Sequence, residues 1–160
     1  MNMKNKSWKT YALWIGLSEA VGALSGWLTR EGTKHYAAAV TKPPLSPPPA
    51  VFPVVWAMLY ALMGIGAARV YMAGGSAFRT RGLRLFGLQL AFNFCWSLLF
   101  FNAEAYGLAF VWLAALLALI VMMTLAFNKA DRLAGRLQIP YVLWAAFAGY
   151  LNAGVWLLNG

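Results

Sequence analysis

Five long apolar runs, near residues 11–29, 51–73, 83–101, 107–127 and 139–158, decide which solvent this 160-residue chain folds in. Each holds about 18 to 22 residues, enough at 1.5 Å rise per residue for a helix to cross the roughly 30 Å hydrocarbon core of a bilayer. Hydrocarbon offers the backbone no hydrogen-bond partners, so a run placed there takes the form that satisfies its own amides and carbonyls. Composition agrees: 62% of residues are hydrophobic and 11% are charged, where a soluble domain carries about a quarter charged. The connections are short. The expected fold is therefore all-α: a polytopic membrane protein forming a single domain over 1–160, with five transmembrane helices in one bundle and a Pro-rich loop between the first and second.

Other classes fail on specific grounds. A β-barrel would show segments of about ten residues alternating in polarity, and these runs are unbroken. The first run passes through Glu19 and Gly26 into more membrane-competent chain with no small-residue cleavage site, so it reads as retained and not as a secretory signal. Cys95 is the only cysteine, which rules out an internal disulfide or a cysteine metal cluster and leaves it as a small buried hydrophobe. No internal repeat, P-loop, GxSxG or HExxH pattern is present. No catalytic or metal-binding residues are assigned.

The net charge of +9 does not form the single basic stripe of a nucleic-acid binder, and none is expected as a partner. The cations flank the runs. Lys4, Lys6, Lys9, Arg69, Arg79, Arg81, Arg84, Lys129, Arg132 and Arg136 lie on one side of the bundle, against Arg30, Lys34 and Lys42 on the other. This ten-to-three imbalance places the N-terminus in the cytoplasm and the C-terminus outside, in a bacterial inner membrane. The lipid bilayer is the first partner implied.

Between Arg30 and Pro53 the chain is not expected to be plain helix. Pro43, Pro44, Pro47, Pro48 and Pro49 remove backbone donors and push the residues before them toward extended geometry. Pro53 falls in the first turn of the next helix, where its missing N–H breaks no bond. A loop preset by proline loses little entropy on ordering and suits a lid over that end of the bundle; the plainer structural reading is a rigid connector.

Polar residues inside the runs point inward. Gln89, Asn93, Trp96 and Phe100 recur at i, i+4, i+7 and i+11, one face of a helix. Trp56, Tyr60 and Met63 repeat that spacing on the second run, and Trp144, Ala148, Asn152 and Trp156 form a stripe on the fifth. A side-chain amide facing lipid costs several kcal/mol, so Gln89, Asn93 and Asn152 are expected inside. The functional reading is a central pocket walled by aromatics, with amides orienting a ligand. The structural alternative is helix glue plus interfacial aromatic belts, which suits Trp8, Trp27 and Trp156.

Three further features carry two readings each. Glu19 is an intramembrane carboxylate, a functional candidate by default; structurally it would be a neutral group hydrogen-bonded to Ser18 or to an amide on another helix. His35, in the proline-rich connection, could ligate an iron porphyrin or pair with its carboxylates, or be an ordinary solvated histidine. Gly22 and Gly26 in the first helix, and Ala145, Gly149 and Ala153 in the fifth, form small-residue stripes expected to pack helices closely within the monomer.

KPPLSPPPAVFPVVWAMLYALMG from Lys42 to Gly64, QLAFNFCWSLLFF from Gln89 to Phe101 and PYVLWAAFAGYLNAGVWLLN from Pro140 to Asn159 together resemble the TspO/MBR family. Its members are called tryptophan-rich sensory proteins in bacteria and translocator proteins, or peripheral benzodiazepine receptors, in mitochondria. The resemblance covers essentially the whole chain. It implies a five-helix bundle, often a homodimer, whose pocket is closed by the first connection. The ligands it implies are porphyrins, haem, in some members sterols, and synthetic benzodiazepine-site compounds, none of them an obligatory cofactor.

By position, the family's pocket residues fall on Trp56, Tyr60, Asn93, Trp96, Phe100, Trp144, Ala148 and Asn152. Pro47 and Pro48 belong to the lid, and Tyr36 stands at a loop position where tryptophan is usual. Some bacterial relatives are associated with light-dependent breakdown of protoporphyrin, which is thought to need that loop tryptophan together with the one matching Trp144; Tyr36 weakens the case for it here. Tyr150 is followed by no Lys or Arg, so the C-terminal sterol pattern fails. Gly82 and Gly87 are five apart, which breaks the glycine pair linked to dimerisation.

Three functions follow as alternatives. The first is a binding and sensory protein that sequesters a tetrapyrrole, with Trp56, Trp96 and Trp144 against the macrocycle and amides or Lys42 near the propionates. The second is a transporter of such ligands, although no inverted repeat or glycine-broken midplane helix marks a transport cycle. The third is a porphyrin-degrading enzyme, which no acid–base cluster supports.

Overall fold

The computed structural model describes residues 3–160, with side chains from Lys6 onward; Lys4, one of the flanking cations, lies outside the described side chains. Seven α-helices follow one another: α1 (Met3–Leu28), α2 (Arg30–Ala39), α3 (Val51–Met72), α4 (Ala77–Ser97), α5 (Tyr106–Ala130), α6 (Arg132–Arg136) and α7 (Ile139–Asn159), with a π-helical turn, Leu98–Asn102, continuing α4. No strand occurs among the described residues. Four stretches are long and apolar enough to cross a membrane: Val51–Met72, Ala77–Asn102, Tyr106–Ala130 and Arg132–Asn159. The chain is an all-helical integral membrane protein. α1 has the length, at 26 residues, but Ser18, Glu19, Ser25 and its glycines dilute its central turns.

The connection before α3 departs from expectation. Residues 30–39 are helical, because the prolines begin only at Pro43 and nothing before them denies the backbone its donors. Only residues 40–50 lack helix. That segment is tied to the end of α7: Thr41 N–H donates to Asn159 Oδ1 (3.0 Å), Asn159 Nδ2 donates to Thr41 O (2.8 Å), and Tyr150 Oη donates to Pro44 O (2.6 Å). Pro53 is the third residue of α3, inside its first turn.

Packing is densest between α4 and α5, between α1 and α3, and between α5 and α7. α1 lies so close to α3 that a side chain at Gly64 would run into the backbone of Ile15. Phe86, Leu116, Ile120, Met123 and Phe127 fill the α4–α5 side with almost no exposure. The expected small-residue stripes pack only in part. Gly22 receives the ring of Tyr60, but Gly26 and Gly149 face open space, and the close approach on α7 falls at Gly154, against Pro43. A repeat of small residues grants the option of contact; the neighbouring helix decides which of them is used. Cys95 is half-buried.

At the opposite end from the proline segment, Arg69 on α3 donates through Nε and Nη2 to Asp131 Oδ1 and Oδ2 (3.0 and 2.9 Å). Asp131 also caps α6 by accepting from Ala134 N–H (2.8 Å). The Arg69 hydrogen bonds, aided by the cap, hold its carboxyl below the ordinary value of 3.8. A carboxyl depressed in the folded state adds stability that is fully present above its unfolded value and lost as pH falls through the folded one. Thermal unfolding in detergent should therefore show this contribution constant above pH ~4.5 and fading below pH ~3.8, and Asp131→Asn should flatten that acid limb.

Candidate ligand-binding cavity

The aromatic stripes of separate helices converge on a cavity of about 550 Å³ bounded by α1, α2, α3, the end of α4 with its π turn, and α7. Helical spacing explains each wall. Phe52, Trp56 and Tyr60 descend α3 at i, i+4 and i+8, and Trp144, Ala148 and Asn152 descend α7 in the same register. Trp96 and Phe100 supply the α4 side, where the π turn places Phe100 and Phe101 at right angles to one another, 4.9 Å apart. Tyr36 comes from α2, packed against both rings at 5.5 Å.

α3 and α7 meet chiefly through rings. Trp144 stands perpendicular to Trp56 at 6.5 Å and edge-on to Phe52 at 6.0 Å, arrangements that suit the ring quadrupole. The Trp144 indole N–H is buried and has no hydrogen-bond partner among the described residues. A buried donor without an acceptor is uncommon, because it forfeits its bond to water.

Amides fix the walls. Trp96 Nε1 donates to Asn152 Oδ1 (3.1 Å), and Asn152 Nδ2 donates to Tyr106 O at the start of α5 (2.8 Å). Below the cavity, Tyr60 Oη donates to Asn93 Oδ1 (3.0 Å), Asn93 Nδ2 donates to Tyr141 Oη (2.8 Å), and Tyr141 Oη donates to Gln89 Oε1 (2.6 Å). Gln89 Nε2 reaches Met63 Sδ at 3.6 Å. This chain joins α3, α4 and α7 with no solvent access, since Gln89, Asn93 and Tyr141 are at most 1% exposed. Gln89, Asn93 and Asn152 thus all lie inside the bundle.

Of the residues singled out in the sequence, Tyr36, Trp56, Tyr60, Trp96, Phe100, Trp144, Ala148 and Asn152 line the cavity. Asn93 does not; it stands behind Tyr60 and holds that phenol. Pro47 and Pro48 also lie off the cavity, and Pro49 borders it instead, because the proline segment is pinned to α7 and the roof is α2. Trp156 leaves the stripe and covers Gly107 on α5. Lys42 does not border the cavity: its Nζ donates to Ala37 O and Val40 O (both 3.1 Å) and sits 5.0 Å over the Tyr36 ring, closing the end of α2.

Sequence reasoning missed Phe52, although it extends the Trp56 and Tyr60 spacing by one step. It also missed Thr33 and Ala37, which border the cavity from a segment not expected to be helical. His35, on the outer face of α2, is 3.4 Å from Glu104 Oε1 and does not border the cavity.

An all-helical membrane protein with an aromatic-walled, amide-braced chamber between its helices is the class these features define. The sequence profile of the TspO/MBR family matches residues 14–157, and the chain belongs to that family. It is 36% identical over 156 residues to the tryptophan-rich protein TspO of Chlorobaculum tepidum, covering 97% of this chain and 99% of that one. The human translocator protein is 34% identical over 152 residues, 92% of this chain and 89% of its own. The tryptophan-rich sensory protein of Cereibacter sphaeroides is 35% identical over 120 residues, 75% and 74% of the two chains.

Proposed function

We propose that this protein is a binding and sensory protein that holds a porphyrin or haem in its cavity, within the bilayer. The observation that carries this reading is the chamber itself: about 550 Å³, in the range of small-molecule sites, walled by Trp56, Trp96 and Trp144. Flat aromatic frames bind such walls by face and edge contacts. Arg30, on the rim, takes the place first given to Lys42 as the cation nearest a propionate. Tyr36 stands where the degradation reading wants tryptophan, so binding without conversion is the outcome proposed.

In this reading α1 is the fifth membrane span. Its polar residues turn inward, with Ser18 and Ser25 buried and Glu19 on the cavity, while Leu13, Leu17, Leu24 and Trp27 are exposed on its outside. The flanking cations then set the N-terminus in the cytoplasm of a bacterial cell and the proline segment outside. A homodimer and binding of synthetic benzodiazepine-site ligands complete the proposal by family likeness.

Titration of the purified protein with protoporphyrin should quench tryptophan fluorescence saturably, and illumination should leave the bound porphyrin spectrum unchanged. Absence of saturable quenching would refute the reading. The name translocator protein, borne by several relatives, favours transport as a second reading. Protoporphyrin uptake into proteoliposomes by the wild-type protein would establish it.

A further inference from the structure

α1 presents one unbroken line to the cavity: Glu19, then Gly22 and Ala23, then Gly26, then Arg30 just past its end. The small residues leave a shelf on which a ligand can lie along the helix. Its two ends differ in chemistry, a carboxyl at one and a guanidinium at the other, and they are about 16 Å apart at 1.5 Å per residue. The two groups also differ in what already holds them. Arg30 donates from Nη1 to Trp27 O (2.7 Å), sits 4.7 Å over the Trp27 ring, and has Glu31 Oε1 3.9 Å from its Nε.

Glu19 has no such partners: it makes no hydrogen bond or ion pair among the described residues. Ser18, its expected partner, donates to Trp14 O instead (2.9 Å). The amides of Gln89, Asn93 and Asn152 are occupied with one another's neighbours. A carboxylate in an apolar site is tolerated when something of opposite charge or a strong donor meets it, and none of the described residues does so here.

We infer that Glu19 makes the deep end of the cavity a cation subsite, so that the cavity selects amphipathic aromatic ligands whose leading end carries a protonated amine or a comparable N–H donor. A ligand with carboxylates must enter the other way round, with its acids at the Arg30 rim. This rests on the reading of the cavity as a ligand site and adds to it a rule of polarity. The wall does not require it: Phe52, Trp56 and Trp144 would accept either orientation of a flat frame.

Three probes of one frame test this: 1-pyrenylmethylammonium, 1-pyrenemethanol and 1-pyrenecarboxylate, read by energy transfer from tryptophan in non-ionic detergent. The wild-type protein should hold the ammonium probe about tenfold or more tighter than the carboxylate, with the alcohol between. Glu19→Gln should bring the ammonium probe down to the affinity of the alcohol and leave the alcohol unchanged, which also shows the variant to be folded. Equal affinity of the wild-type protein for ammonium and alcohol, or a preference that survives in Glu19→Gln, overturns the inference and leaves the cavity reading standing. Binding of none of the three overturns both.

Discussion

Trp144→Ala should weaken protoporphyrin binding by about 10- to 100-fold while the helical content and unfolding midpoint stay close to wild type. The indole joins the α3 wall to the chamber: it meets Trp56 and Phe52 edge-on and lines the cavity itself. Truncation removes a large flat contact for a ligand, and losing roughly 60 to 100 Å² of apolar contact at ~25 cal/mol per Å² corresponds to about 1.5 to 2.5 kcal/mol. That alone is more than tenfold in affinity. Stability should suffer less, because one side of the ring already faces open volume. The seven remaining tryptophans still report binding. Trp144→Phe should recover most of the affinity, because it restores a ring to the wall. An alanine variant that binds as tightly as wild type would place the ligand elsewhere.

Tyr141→Phe should lower the stability of the bundle by about 2 to 6 kcal/mol, since two buried groups lose their partner and each costs roughly 1 to 3. Tyr141 is fully buried, and its hydroxyl accepts from Asn93 and donates to Gln89. The change removes a single oxygen and leaves the ring packing intact, so the loss reads the hydrogen bonds and not a cavity. Gln89→Met in the same chain should restore part of the stability, because it removes the stranded acceptor. Both are measured as unfolding midpoints in detergent. Asn93, left with an idle N–H, also holds Tyr60 at the chamber floor, so Tyr141→Phe should loosen ligand binding too. An unchanged midpoint would mean that the amides find other partners and that the network does not hold α3, α4 and α7 in place.

Much of the chamber was legible before any coordinates, and for one reason. In lipid an unpaired amide is expensive enough to dictate which face of a helix turns inward, so Asn93 and Asn152 pointed to the interior and carried Trp96 and Ala148 with them by periodicity. Phe100 kept its place even though the helix widens into a π turn around it. Where that penalty is weak, the sequence does not fix the facing. Glycine and alanine have no strong preference for lipid or protein, so the stripes through Gly26 and Gly149 could not say whether they face a neighbour or a void. Pro47 and Pro48 were misplaced because proline fixes its own backbone and not the direction in which the segment leaves. The helix α2 escaped notice because its polar sequence resembles that of a loop.

The sequence by itself determined the solvent, the all-helical form, where most of the helices lie and which of their faces are costly to expose, because these follow from the transfer of side chains and backbone amides into hydrocarbon, residue by residue. Only the tertiary structure decided that α2 and not the prolines forms the roof, that Asn93 braces a wall it does not itself form, and that Glu19 faces the chamber with no hydrogen bond or ion pair among the described residues. Those are properties of how helices distant in sequence cross and what they leave between them. The spacing of residues along any one helix does not contain that information.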